Sequence, residues 1–172
     1  MAYSLADAQN HFYSWAACRA AQAGSAKAKR NELLGALQHS GAVQYLLRVP
    51  TPSPTSQEFD TMFYTWGERA IEFLEKKHNK KVSFGIAAKL ISVYLKGAWV
   101  LHSVEDCSLA RNIHPPIDSI LLETIDRARG TTLSKTYKWQ KLDRSNYETL
   151  MESLRKIAGS SPLWRLEEYW RP

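Results

Sequence analysis

The chain has 172 residues, 44% of them hydrophobic and only 8 Gly and 7 Pro, which fits one compact domain with its own core and excludes disorder, a collagen-like repeat or a multi-domain array. Lys and Arg outnumber Asp and Glu by 23 to 17, a formal net charge of +6 that favours anionic partners. The two cysteines, Cys18 and Cys107, cannot frame a disulfide scaffold. With no leader-like start and no run of about 18 apolar residues, a soluble cytoplasmic protein is expected.

Apolar and small residues recur at three- and four-residue steps without strand-length alternation, which predicts an all-α domain. Ser4 is the expected cap of a first helix through Phe12, Trp15 and Ala16 to about Ala23, broken by Gly24 and Ser25. A second helix is expected from about Ala28 to Arg48, kinked at Ser40-Gly41 because glycine costs roughly 1 kcal/mol against alanine there. Pro50, Pro52 and Pro54 lack amide donors and push their predecessors to extended geometry, so residues 50–56 read as a Pro-rich linker.

Ser56, with Glu58 and Asp60 behind it, opens a third helix whose Phe59, Met62, Phe63, Trp66, Ala70, Phe73 and Leu74 form an apolar stripe. It runs into the basic stretch Lys76, Lys77, His78, Asn79, Lys80 and Lys81. Val82 and Phe84 then precede Gly85 and a helix through Ile86, Leu90, Ile91, Tyr94, Leu95, Ala98 and Trp99, so two helices meet at a short hairpin, about residues 76–101. A loop from Val104 to His114 ends at Pro115-Pro116, with Pro116 expected in the first turn of the helix that Gly130 stops. The tail reads as a basic loop from Lys135, a helix from about Arg144 to Ala158, and a short helix ending near Trp170.

Lys89 is the first candidate for chemistry. Its helical neighbours three and four positions away are Gly85, Ile86, Ser92 and Val93, none of them a carboxylate. An amine held among apolar groups loses hydration and becomes a usable nucleophile near neutral pH; a stem snorkelling along the core is the ordinary alternative. Asp118 is the second. It stands at a helix start after Pro115, Pro116 and Ile117, where a carboxylate caps free amides, and capping alone would account for it.

The run Ser83-Phe84-Gly85-Ile86-Ala87-Ala88-Lys89, followed downstream by Pro116-Ile117-Asp118, resembles the helix-hairpin-helix DNA glycosylases, especially the archaeal 8-oxoguanine glycosylase branch. That superfamily carries Leu-Pro-Gly-Val-Gly-x-Lys at its hairpin, the lysine being the nucleophile, and a Pro-Val-Asp segment with the catalytic aspartate. The similarity covers about a quarter of the chain, roughly residues 82–122, including Lys-Leu-Ile-Ser-Val-Tyr after the hairpin. Ala87 stands where the superfamily has its second glycine and Phe84 where it has proline; the four cysteines of the iron–sulfur members are missing.

The resemblance implies a two-lobed helical domain containing a helix-hairpin-helix motif, with Lys89 as nucleophile, Asp118 as its catalytic partner, and Lys80, Lys81, Phe84, Gly85 and Ala87 holding DNA. It implies no cofactor, a monomer, and DNA as partner. The implied activity is base flipping and cleavage of the N-glycosidic bond, with or without an AP-lyase step, at an oxidised purine such as 8-oxoguanine or a hypermodified base of phage DNA. A non-catalytic helix-hairpin-helix DNA-binding module and an all-α protein-interaction domain are the alternatives.

Lys27, Lys29 and Arg30, the run Lys76 to Lys81, and Lys135, Lys138, Lys141 and Arg144 are either a DNA-facing surface or solvated faces. Trp15, Trp66 and Trp99 have core spacing, while Trp66, Trp164 and Gln9, with its neighbour Asn10, are the candidates for a base pocket. His102, Cys107 and His114 lack a fourth ligand, so no metal is expected.

Overall fold

A computed structural model describes residues 3–22, 28–48, 52–103 and 108–171. The expected break at Gly24 and Ser25, together with Lys27, Pro50, Val104 and Cys107, lies outside these residues. The fold is all-α, with no strand among the described residues.

Helix α1 (Leu5–Gln22) starts where Ser4 Oγ accepts the Asp7 amide at 3.2 Å and the Asp7 carboxylate accepts the Ser4 amide at 2.8 Å. The expected second helix is not kinked but divided. Helix α2 (Arg30–Ser40) stops at Gly41, whose φ of 102° suits glycine, and α3 (Ala42–Leu46) starts directly after it. Helix α4 (Ser56–His78) opens at Ser56 as read, with Thr55 and Glu58 as the reciprocal cap, and ends at Asn79 in the left-handed region. Ser83 caps α5 (Phe84–Ala98) by accepting the Ile86 amide at 3.3 Å.

After a short α6 (Ser108–Asn112), α7 (Ser119–Arg129) is capped by Asp118, so Pro116 lies two residues ahead of the cap and not in the first turn. Helix α8 (Leu133–Thr136) and a 3₁₀ turn at Trp139–Lys141 break up the expected basic loop. Helix α9 (Arg144–Ala158) matches its expected bounds, and the tail segment Leu163–Tyr169 is 3₁₀.

Helix α5 is the centre of the core. Its Ile86, Leu90, Ile91 and Leu95 meet α1, α4 and α9, which contribute Ala17, Cys18, Phe59, Phe63, Leu150 and Leu154. Each fully buried Leu, Ile or Phe stabilises by roughly 1.5–3 kcal/mol. The stretch Phe84–His102 has the length and apolarity of a membrane span, and 67% of that window is buried in the fold, as a core helix requires.

Trp66 is 5% exposed, packed between Tyr45 and Phe59, and belongs to this core, not to a base pocket. Trp15, expected in the core, is 46% exposed with its ring tilted against Phe12, because the inner face of α1 is Ser14, Ala17, Cys18 and Ala21 and Trp15 falls outside it. Burial pushes the Cys18 thiol up to about 11, so it packs as a small apolar group.

A polar cluster anchors the segment before Asp118. His114 is fully buried, its Nε2 lying 2.8 Å from Asp60 Oδ1 and its Nδ1 3.2 Å from the Tyr147 hydroxyl, while Arg155 donates to the same Asp60 oxygen at 2.6 Å. Burial holds the imidazole below its usual range, so the neutral ring donates from Nε2 to Asp60 and accepts the Tyr147 hydroxyl proton at Nδ1.

Candidate active site

Lys89 and Asp118, 29 positions apart in sequence, meet in space. Lys89 Nζ lies 3.2 Å from Asp118 Oδ2, with 9% and 14% of the two side chains exposed. The other carboxylate oxygen, Oδ1, accepts the Leu121 amide at 2.9 Å, so Asp118 caps α7 and pairs with the lysine at once. The Trp139 ring sits under the ammonium with its centroid 4.4 Å from Nζ, and the Trp170 indole N–H donates to Asp118 Oδ2 at 3.0 Å.

Both groups open onto one pocket of about 380 Å³, within the usual range for small-ligand sites. Helix α1 supplies Phe12, Tyr13 and Ala16; α5 supplies Lys89, Val93 and Lys96; Pro116, Glu167 and Trp170 complete the wall. Phe12, Leu101 and Trp170 at its rim are 60%, 66% and 43% exposed, an apolar mouth on a basic protein. Lys96 follows Lys89 by two helical turns, about 10.5 Å along α5, and forms an ion pair with Glu167. Burial raises the Glu167 carboxyl; Lys96 opposes the rise and the charge of Asp118 adds to it. Lys96, Leu101 and Glu167 also line a second, neighbouring cavity together with Val100, Trp164 and Glu168.

The hairpin residues expected to hold phosphate are used inside the fold. The Gly85 amide donates to the Leu142 carbonyl at 3.1 Å, and a Cβ on Gly85 would lie 1.9 Å from the Trp139 carbonyl oxygen, so this glycine admits a protein backbone, not a DNA backbone. Ala87 is 2% exposed with its amide bonded to Ser83, and Phe84 is 3% exposed with its ring against Gly67. Lys80 and Lys81 remain at the surface of the connection between α4 and α5, half-buried and exposed respectively.

Trp164 faces the second compartment and not the Lys89 pocket. Gln9 is half-buried outside the residues lining either compartment, and Asn10 accepts the Tyr94 hydroxyl at 3.0 Å, a tie between α1 and α5. His102 bonds to Tyr13 while His114 bonds to Asp60, and no cluster of three or more His, Cys, Asp or Glu among the described residues is arranged to hold a metal.

Sequence reasoning missed Trp139, Lys96, Glu167 and Trp170. Lys96 had a usable signal, since it repeats the Lys89 face after seven residues. The other three reach the site only through the path of the tail, which no local pattern encodes. Compared with family models, with curated proteins and with solved structures, the chain finds no match in any of the three.

Proposed function

We propose that the chain is a DNA glycosylase in which Lys89 is the nucleophile and Asp118 its proton acceptor. The observation that carries the reading is the 3.2 Å approach of Lys89 Nζ to Asp118 Oδ2 at the wall of an open, apolar-rimmed pocket. The similarity of residues 82–122 to the helix-hairpin-helix glycosylases supports it.

A base inside a duplex is out of reach, so the target nucleotide leaves the stack, at a cost of a few kcal/mol, and enters the pocket. The exposed faces of Phe12 and Trp170 at the rim give unstacked bases an aromatic surface. Lys89 passes a proton to Asp118 and its nitrogen bonds to C1′ as the C1′–N-glycosidic bond breaks; the base leaves with the bonding pair and takes up a proton. Opening of the sugar at the C1′–O4′ bond then yields an iminium on Lys89. Loss of a C2′ proton expels the 3′ phosphate, and water releases the lysine. Asp118, protonated by that transfer, can return its proton to O4′ as the ring opens, which restores the carboxylate beside the iminium charge on Lys89. With the Gly85 and Ala87 amides occupied, phosphate contacts fall to lysine side chains, which makes binding steeply salt-dependent.

The neighbouring cavity beyond Lys96, which shares lining residues with the pocket, offers a place for a bulky substituent that a small oxidised purine would not use. Lys96, Glu167 and Glu168 offer a donor and acceptors to hydroxyl groups there.

Duplexes carrying 8-oxoguanine, 5-hydroxymethylcytosine or its glucosylated form, incubated with the protein and borohydride, test the reading. A covalent adduct is expected, strongest on the glucosylated base, and Lys89→Gln should abolish it. No adduct on any duplex, or equal strand cleavage by Lys89→Gln, refutes the enzyme; an adduct confined to 8-oxoguanine refutes only the bulky-base assignment.

A further inference from the structure

We infer that Trp170 is a positioning residue for the Lys89–Asp118 pair, its indole N–H aiming the carboxylate at the amine; the inference rests on the glycosylase reading. Asp118 receives three hydrogen bonds, from the Leu121 amide on Oδ1 at 2.9 Å, and from Lys89 Nζ at 3.2 Å and Trp170 Nε1 at 3.0 Å on Oδ2. The cap bond fixes one oxygen and leaves the other to be directed. Lys89, on a flexible four-carbon stem, directs it less firmly than a planar ring does. The indole is rigid, planar and a donor only, so its place decides where Oδ2 points.

That place is set independently of the pair. Trp170 follows the 3₁₀ segment Leu163–Tyr169, in which Leu163 and Leu166 are buried in the core. Glu167 is paired with Lys96 on α5, and the Tyr169 hydroxyl accepts Arg129 Nε from α7 at 2.9 Å. The tail is thus tied to the two helices that carry Lys89 and Asp118, and it delivers the indole to the junction between them. Trp170 also lines the pocket, so the group that aims the carboxylate lies where a bound nucleotide would meet it. A hydrogen bond to a charged acceptor contributes enough to orientation for its loss to slow the chemical step about 10- to 100-fold.

Trp170→Phe keeps a ring at the rim and removes the N–H. Under single-turnover conditions at saturating DNA, where a change in stacking affinity does not limit the rate, adduct formation should slow about 10- to 100-fold. An unchanged rate, or a loss confined to Kd, overturns the proposal. An independent arm needs no DNA: the indole ¹H–¹⁵N resonance that is missing in Trp170→Phe should shift in Asp118→Asn, and an unmoved resonance overturns the hydrogen bond itself. If the wild-type chain forms no adduct on any DNA, the glycosylase reading fails, and the resonance alone decides whether Trp170 holds Asp118.

Discussion

Replacing Gly85 by alanine places a methyl carbon 1.9 Å from the Trp139 carbonyl oxygen and 3.0 Å from its carbonyl carbon. Neither atom is the free end of a side chain, so relief requires the Trp139–Leu142 backbone to move off α5. Overpacking of this kind costs about 1–3 kcal/mol, and the bond from the Gly85 amide to the Leu142 carbonyl, worth about 0.5–1.5 kcal/mol, is lost with it. The expected destabilisation is about 2–4 kcal/mol, which for a chain of this size lowers Tm by roughly 4–16 °C. Urea and thermal unfolding measure it, with Gly35→Ala as the comparison: there the close atoms, at 2.8 Å, belong to the Phe73 side chain and not to backbone, so a smaller loss is expected. Adduct formation should fall as well, because Trp139 carries the ring under Lys89 Nζ. A Gly85→Ala protein within about 0.5 kcal/mol of wild type that has simply lost DNA affinity would refute the reasoning and return Gly85 to a phosphate-binding role.

Two further predictions concern the junction and its support. Asp118→Asn keeps an N-cap oxygen and Asp118→Ala does not, so in urea unfolding Ala should be less stable than Asn by about 1 kcal/mol, while both abolish adduct formation. Equal stability would mean that the cap to Leu121 contributes nothing. Burial holds the His114 imidazole below its unfolded value, so the unfolded chain binds a proton that the folded chain does not. The stability present above about pH 6.5 should therefore be lost as pH falls below it, at up to about 1.4 kcal/mol per pH unit, until the folded group itself titrates. His114→Gln should flatten that limb of the urea midpoint against pH, and an unchanged slope refutes the assignment.

The helical class and several helix ends were legible in the chain because they depend on nearest neighbours: Ser4 before Asp7, the start of α4 at Ser56, α9 from Arg144 to Ala158. Lys89 was legible from its carboxylate-free helical neighbours, and Asp118, by itself an ordinary helix cap, only as its partner through the family resemblance. Gly85 was visible as a glycine, but its reason was not, since the atom that forbids a side chain there comes from a carbonyl 54 positions later. The exposure of Trp15 and the burial of Trp66 were likewise settled by which neighbours arrive, small residues on the inner face of α1 in one case and Tyr45 and Phe59 in the other.

By itself the sequence determined a basic, helical chain, because capping, periodicity and charge are local properties; the choice of Lys89 and Asp118 as a pair came from the resemblance to a known family. Only tertiary structure decided that Lys89 and Asp118 share one hydrogen bond, that Trp139, Glu167 and Trp170 surround them, and that the hairpin amides are occupied from within. Those facts depend on distances between segments that lie far apart along the chain, and such distances are set by how the core packs around α5.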